Sequence, residues 1–156
     1  MIVNIVVGLV IPWILSIWLA LRSPIIVILI FPLGITIAYL ANDWGFELFW
    51  TVSPTLKNPS LSILPYNIGY FPFIATLFAF IKLKRKYKNL SLIVWFTAIT
   101  TLLEWFAVYI DKVNYLNGWN HLLTLLVYLT GFVATSLYLE LLTKYKVLSS
   151  TTKKYS

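Results

Sequence analysis

The sequence predicts an all-α integral membrane bundle, with five transmembrane helices and a short interfacial or re-entrant aromatic helix. Three observations carry that reading. Of 156 residues, 60% are hydrophobic and 11% charged, and mean hydropathy is +0.87. A soluble domain of this length cannot hide so much apolar surface, so lipid must be the solvent for much of it. The apolar residues also form long runs, each able to cross a hydrocarbon core of about 30 Å at about 1.5 Å per residue. Finally, the cations lie between the runs on alternate sides, as loop charges do in membrane proteins.

The elements follow in order. Residues 2–21 hold no charge and form the first span, with a kink expected at Pro12. No basic residue precedes Arg22, so this run reads as a span and not as a cleaved leader. Ser23 suits an N-cap and Pro24 a first helical position, so the second span starts at once and covers 24–41, bending near Pro32 and Gly34. The first two spans then read as a mainly lipid-facing hairpin. Residues Trp44 to Trp50 are aromatic but too short to cross, and read as the interfacial or re-entrant helix, with Asp43 as its cap. The third span covers 65–82, its start blurred by Pro65, Gly69 and Pro72. The fourth covers 90–110 and the fifth 119–142. Residues 1–146 read as one bundle and 147–156 as a flexible cytoplasmic tail.

Charge sets the orientation. With five spans, ten of the twelve Lys and Arg residues fall on one side, and only Lys57 and Lys112 on the other. The basic side is the cytoplasm, so the N-terminus lies outside and the C-terminus inside. The basic run 82–88 reads first as this topology signal, with attraction to anionic lipid as a secondary effect.

Glu104 is the charge inside the fourth span, about 10 Å below its outer end. A carboxylate in hydrocarbon costs at least about 2.5 kcal/mol, so it must face protein or water. Thr97, Thr101, Glu104 and Asp111 share one helical face. His121, Thr124, Tyr128, Gly131, Thr135 and Tyr138 form a matching stripe on the fifth span. A short link makes these spans antiparallel neighbours, so Glu104 should meet Thr124 or Tyr128. His121 should meet Asp111, Glu47 or Asp43, and Gly131 should permit close backbone approach. The plainer reading is that these polar residues glue helices together at roughly 1 kcal/mol each. Trp105, Trp119, Tyr66 and Tyr115 at the helix ends are then interface anchors.

Other chemistry finds little footing. There is no cysteine and one histidine, so thiolate and multi-histidine metal sites within the chain are not expected. No GxSxG, HExxH or phosphate-cradling glycine loop occurs. No metal, cofactor or nucleic acid is expected.

The stretch 70–142 resembles a family of small multi-pass membrane proteins of spore-forming Firmicutes, known by a locus tag. The resemblance rests on Phe71-Pro72, the basic loop and Thr100-Thr101-Leu102-Leu103-Glu104. It continues through Val113-Asn114-Tyr115-Leu116-Asn117-Gly118-Trp119-Asn120 and an aromatic-rich last helix. It implies a bacterial cytoplasmic-membrane protein with a link to sporulation, draws attention to Glu104, Tyr115 and Trp119, and brings no activity with it.

The expected function is a non-enzymatic membrane component. It would bind lipid or a partner, either a second copy or another membrane protein, through Glu104 and the segment Asp43 to Trp50, with Trp44, Glu47 and Trp50. One alternative is a small transporter or channel component with Glu104 as a protonatable relay. Another is an enzyme on a lipid or polyprenyl substrate, with Glu104 and His121 as acid and base.

Overall fold

Among the described residues, five helices are long and apolar enough to cross a membrane: α1 (Ile2–Arg22), α2 (Pro24–Gly45), α3 (Ser60–Lys84), α4 (Asn89–Tyr109) and α5 (His121–Lys144). The structure is a computed structural model that describes residues 1–84 and 88–148. Arg85, Lys86 and Tyr87 of the basic run, and residues 149–156 of the tail, lie outside the described residues. Two short strands complete the elements among the described residues. β1 (Trp50–Val52) pairs antiparallel with β2 (Val113–Tyr115), in the register Trp50 to Tyr115 and Val52 to Val113. This ribbon ties the α2–α3 connection to the α4–α5 connection at the end opposite Arg22 and Lys84.

The aromatic run is therefore not a helix of its own. α2 absorbs Trp44 and Gly45, and the chain leaves the helix through Glu47 at φ 66°. Phe49 then donates its N–H to the Gly45 carbonyl at 2.8 Å before β1 begins. Asp43 is inside the last turn of α2 and exposed, and caps nothing. Gly45 is required because the Trp50 ring lies over it: a Cβ there would sit 1.8 Å from the ring. Aromatic and β-branched residues suit a strand, but the partner strand is about sixty residues away and no local pattern announces it.

α3 is the centre of the bundle and begins at Ser60, not at 65. Its Pro72 is tolerated for a visible reason. A proline inside a helix removes the N–H that would bond the carbonyl four residues earlier, and its ring crowds that carbonyl. In α1 and α3 a π-helical turn, Val6–Val10 and Tyr66–Tyr70, ends two residues before Pro12 and Pro72. The carbonyl that Pro72 cannot bond is that of Ile68, and the Trp13 indole N–H from α1 donates to it at 2.9 Å. The kink expected at Pro12 thus takes the form of a widened turn. Trp13→Phe should leave the Ile68 carbonyl without that donor and lower stability by about 1 kcal/mol; reversible unfolding in mixed micelles reads this directly.

The two widened turns face each other. A Cβ on Gly69 would stand 2.2 Å from the Gly8 carbonyl oxygen and 2.8 Å from Leu9 Cα. α2 docks on α3 as closely, since a Cβ on Gly34 would fall 2.5 Å from Pro72 Cα. So α2 is not a purely lipid-facing helix: Ile26, Ile30, Gly34 and Ala38 form its buried stripe. Gly131 differs from its sequence-based role. The nearest atom to a Cβ there is Ile37 Cγ2 at 3.6 Å, an ordinary contact. Gly131→Ala should be neutral or stabilising by up to about 1 kcal/mol, because alanine is the better helix former.

The apolar core sits toward the end carrying Arg22 and Lys84. Phe78 is fully buried there, with the Phe96 and Phe132 rings each 5.3 Å from it, joining α3, α4 and α5. Above this core Lys82 Nζ donates to Ser136 Oγ at 2.7 Å, to the Ser136 carbonyl at 3.2 Å and to Glu140 Oε1 at 3.0 Å. Asn89 completes the clamp, donating to Glu140 and accepting from Ser136. The Glu140 side chain is 55% exposed and that of Lys82 only 15%. Glu140→Gln should thus cost under about 1 kcal/mol. Lys82→Met, which removes the donor to the Ser136 hydroxyl, the Ser136 carbonyl and Glu140 together, should cost about 1–2 kcal/mol in the same unfolding assay. Past α5 the chain does not simply fray. Lys146 turns at φ 60°, Val147 N–H bonds the Leu142 carbonyl at 2.9 Å, and Leu148 is buried in the core.

Candidate functional site

α4 carries Glu104 toward α5 and the ribbon, and three hydroxyls converge on it. Tyr115, the last residue of β2, donates to Oε1 at 2.7 Å. Thr124 on α5 donates to the same oxygen at 3.0 Å. Tyr128, one turn further along α5, donates to Oε2. The expected meeting of Glu104 with Thr124 and Tyr128 is present, and Tyr115 joins them from outside the helices.

Each hydroxyl has one proton, which fixes the rest of the network. Thr124 spends its proton on Glu104 and accepts from the Trp119 indole N–H at 2.9 Å. Tyr115 spends its proton on Glu104, so His121 Nδ1, 3.3 Å away, must be the donor toward the phenol oxygen. This selects the Nδ1–H tautomer by assignment from the network. The imidazole edge also packs against the Tyr115 ring, 5.2 Å between centroids. His121 therefore meets Tyr115, and not Asp111, Glu47 or Asp43 as the sequence suggested.

The local structure explains why these groups arrive together. Asn120 caps α5, its side-chain oxygen accepting from the Leu122 and Leu123 N–H groups at 3.0 and 3.2 Å. The cap places His121 in the first turn, with Thr124 and Tyr128 on the same face one and two turns on. Trp119 lies just before the helix, and its ring stacks among Trp44, Phe49 and Trp50 at centroid distances of 4.8–6.0 Å. Trp50 in turn donates its indole N–H to Asn42 Oδ1 at 3.0 Å. Asn42 donates to Asn67 at 2.7 Å, and Asn4 donates to the Ser53 carbonyl at 3.0 Å. The ribbon, the aromatic cluster and these buried amides form one cap over the ends of α1 to α5.

Several expected members stand outside it. Asp43, Glu47 and Asp111 are exposed, and Asp111 follows α4 at φ 55°. Thr101 donates to the Thr97 carbonyl at 2.8 Å within α4 and does not reach Glu104. Thr135 likewise bonds back to the Gly131 carbonyl. Such back-bonds satisfy a hydroxyl inside a span without a partner helix. Sequence reasoning missed the β1–β2 pairing, the Asn42–Asn67–Trp50 chain and the Lys82–Glu140 clamp. The asparagines inside or beside apolar runs were the available signal, because an amide in hydrocarbon needs a partner.

Tyr115 lies outside the spans. Burial, and then the Glu104 charge, push its phenol above the ordinary value of 10.0. The fold binds this proton more tightly than the unfolded chain does. Its stabilising contribution is present below about pH 10 and is lost as the pH rises beyond the folded value. The tyrosinate absorbance of wild type minus that of Tyr115→Phe should accordingly show no step at pH 10. A step there would mean that the phenol is free in solvent.

Among the described residues no group of three metal-ligating side chains occurs. Glu104 and His121 touch the same phenol from two sides, and an open groove lies at the other end of α4, around Ser91 and Trp95. No protein-family model matches the chain, and no curated protein or solved structure matches it.

Proposed function

We propose that the chain is a non-catalytic multi-pass component of a bacterial cytoplasmic membrane that binds lipid or a membrane-protein partner through its outer cap. The observation that carries this is where the three donors to Glu104 come from. One is in the ribbon and two are on α5, so the carboxylate acts as a fastener between cap and bundle. Trp44, Leu48 and Leu122 on that cap are exposed and apolar, a surface suited to headgroup-level contact. The ten-to-two partition of cations supports an external N-terminus and a cytoplasmic C-terminus. On the strength of the resemblance of residues 70–142 to membrane proteins of spore-formers, we extend the same proposal to a link with sporulation.

The test is photo-crosslinking from position 48 or 116 in native membranes. Wild type should give a discrete lipid or protein adduct. Glu104→Gln, checked for folding by its elution profile, should lose most of it. If Glu104→Gln folds and gives the same adducts, the assignment of Glu104 is wrong.

A second reading is favoured by one feature. Among the described residues the donors to Glu104 are neutral hydroxyls, and no cation pairs with it. A carboxyl so placed suits a protonatable relay in a small transporter or channel component, which with five spans would need several copies. Vesicles reconstituted with the protein that show no pH-dependent flux would remove this reading.

A further inference from the structure

The groove at the opposite end of the bundle is a second site, independent of Glu104. It has a volume of about 970 Å³, is open to the surface, and lies between the last turns of α1 and α3 and the first turns of α4. α4 packs chiefly on α5 and only lightly on α3, so the α3–α4 side is left parted. The volume is at the upper end of the range of ligand-sized clefts.

Its lining is divided along the helix axis. Arg22, Lys84 and Ser91 form the rim. Leu77, Ile81 and Trp95 line the deeper part. Leu77 is seven residues before Lys84, so the apolar wall extends about 10 Å from the rim toward the middle of the span. Neither cation is loose. The Arg22 guanidinium lies over the Trp18 ring at 3.9 Å and Lys84 Nζ over the Phe80 ring at 4.9 Å. Aromatic stacking of this kind holds a cation in place while leaving its outward N–H donors free. No carboxylate lines the groove, and neither cation has an acidic partner among the described residues.

From this geometry we infer that the groove holds a diacyl phospholipid with a single negative charge, its phosphate between Arg22, Lys84 and Ser91 and an acyl chain along Leu77, Ile81 and Trp95. The occupant must be anionic at one end and apolar over the next 10 Å, and it must reach the site from within the membrane. A free phosphate meets the first requirement only, and a neutral lipid the second only. Basic pockets between spans at the membrane face recognise anionic headgroups for the same reason. The assignment does not depend on which leaflet faces the groove, because test membranes carry the lipid on both sides.

The experiment is native mass spectrometry of the full chain released from nanodiscs of phosphatidylglycerol and phosphatidylcholine in equal amounts. Wild type should retain phosphatidylglycerol over phosphatidylcholine by tenfold or more. Removing each cation should reduce this by about fivefold, so the double variant Arg22→Gln, Lys84→Gln should show little preference. Ser91→Phe keeps both cations but fills the groove, and should lose the retained lipid as well; it keeps the test decisive if the double variant does not fold. Excess inorganic phosphate should not displace the lipid. Equal retention of the two lipids, displacement by phosphate, or an unchanged preference in folded Ser91→Phe would each overturn the assignment.

Discussion

Gly69→Ala is expected to destabilise the bundle by about 2–3 kcal/mol, although alanine is the better helix former. The added Cβ would come within 2.2 Å of the Gly8 carbonyl oxygen and 2.8 Å of Leu9 Cα. Both are backbone atoms, so no rotamer change relieves the clash and α1 must move away from α3. Overpacking against rigid neighbours costs about 1–3 kcal/mol, and the separation would also pull the Trp13 indole off the Ile68 carbonyl. Gly131→Ala is the internal control, since its Cβ meets only ordinary contact. Equilibrium unfolding of the two variants in one lipid mixture should move them to opposite sides of wild type, or leave Gly131→Ala unmoved. Equal effects would mean that the α1–α3 crossing is looser than described.

Glu104→Leu is the second large change, at about 2–3 kcal/mol. It removes the common acceptor of Tyr115, Thr124 and Tyr128 together. Hydrogen bonds between membrane segments average under about 1 kcal/mol each, and bonds to a charged acceptor are stronger. Three of them set the scale. The stranded groups recover part of this, because Tyr115 and Thr124 lie 2.9 Å apart and can bond each other. Glu104→Gln keeps an acceptor oxygen and should cost about 1 kcal/mol. The ordering leucine worse than glutamine, read from unfolding midpoints, distinguishes loss of the acceptor from loss of the charge.

Periodicity and charge made much of the bundle legible in the sequence. Long apolar runs reveal spans because lipid demands a continuous apolar surface and internally satisfied backbone. The Glu104 contacts were legible for a related reason: a short link fixes two helices as antiparallel neighbours, and the three- and four-residue steps then fix the facing residues. Features set by distant partners were not legible. Trp50 belongs to a strand because Tyr115 pairs with it, and no local preference conveys that. Pro65 and Pro72 read as breaks, yet α3 runs through both, at Pro72 by widening the preceding turn and taking a donor from Trp13. Asp111, though on the right helical face by count, is exposed because α4 ends at Tyr109 before reaching it. Glu140 was not singled out in the sequence, because its partners Lys82 and Asn89 come from two other helices.

Glu104 fastens the ribbon cap to the helices. Amide hydrogen exchange of wild type and Glu104→Leu in lipid nanodiscs tests it most directly. Ser53 N–H bonds the Lys112 carbonyl at 2.9 Å and Leu116 N–H bonds the Phe49 carbonyl at 2.8 Å, so these two amides report the cap. Phe78 in the opposite core reports the bundle. The account predicts that Ser53 and Leu116 exchange at least tenfold faster in Glu104→Leu while Phe78 is far less affected. Unchanged protection at Ser53 and Leu116 in the folded variant would contradict it.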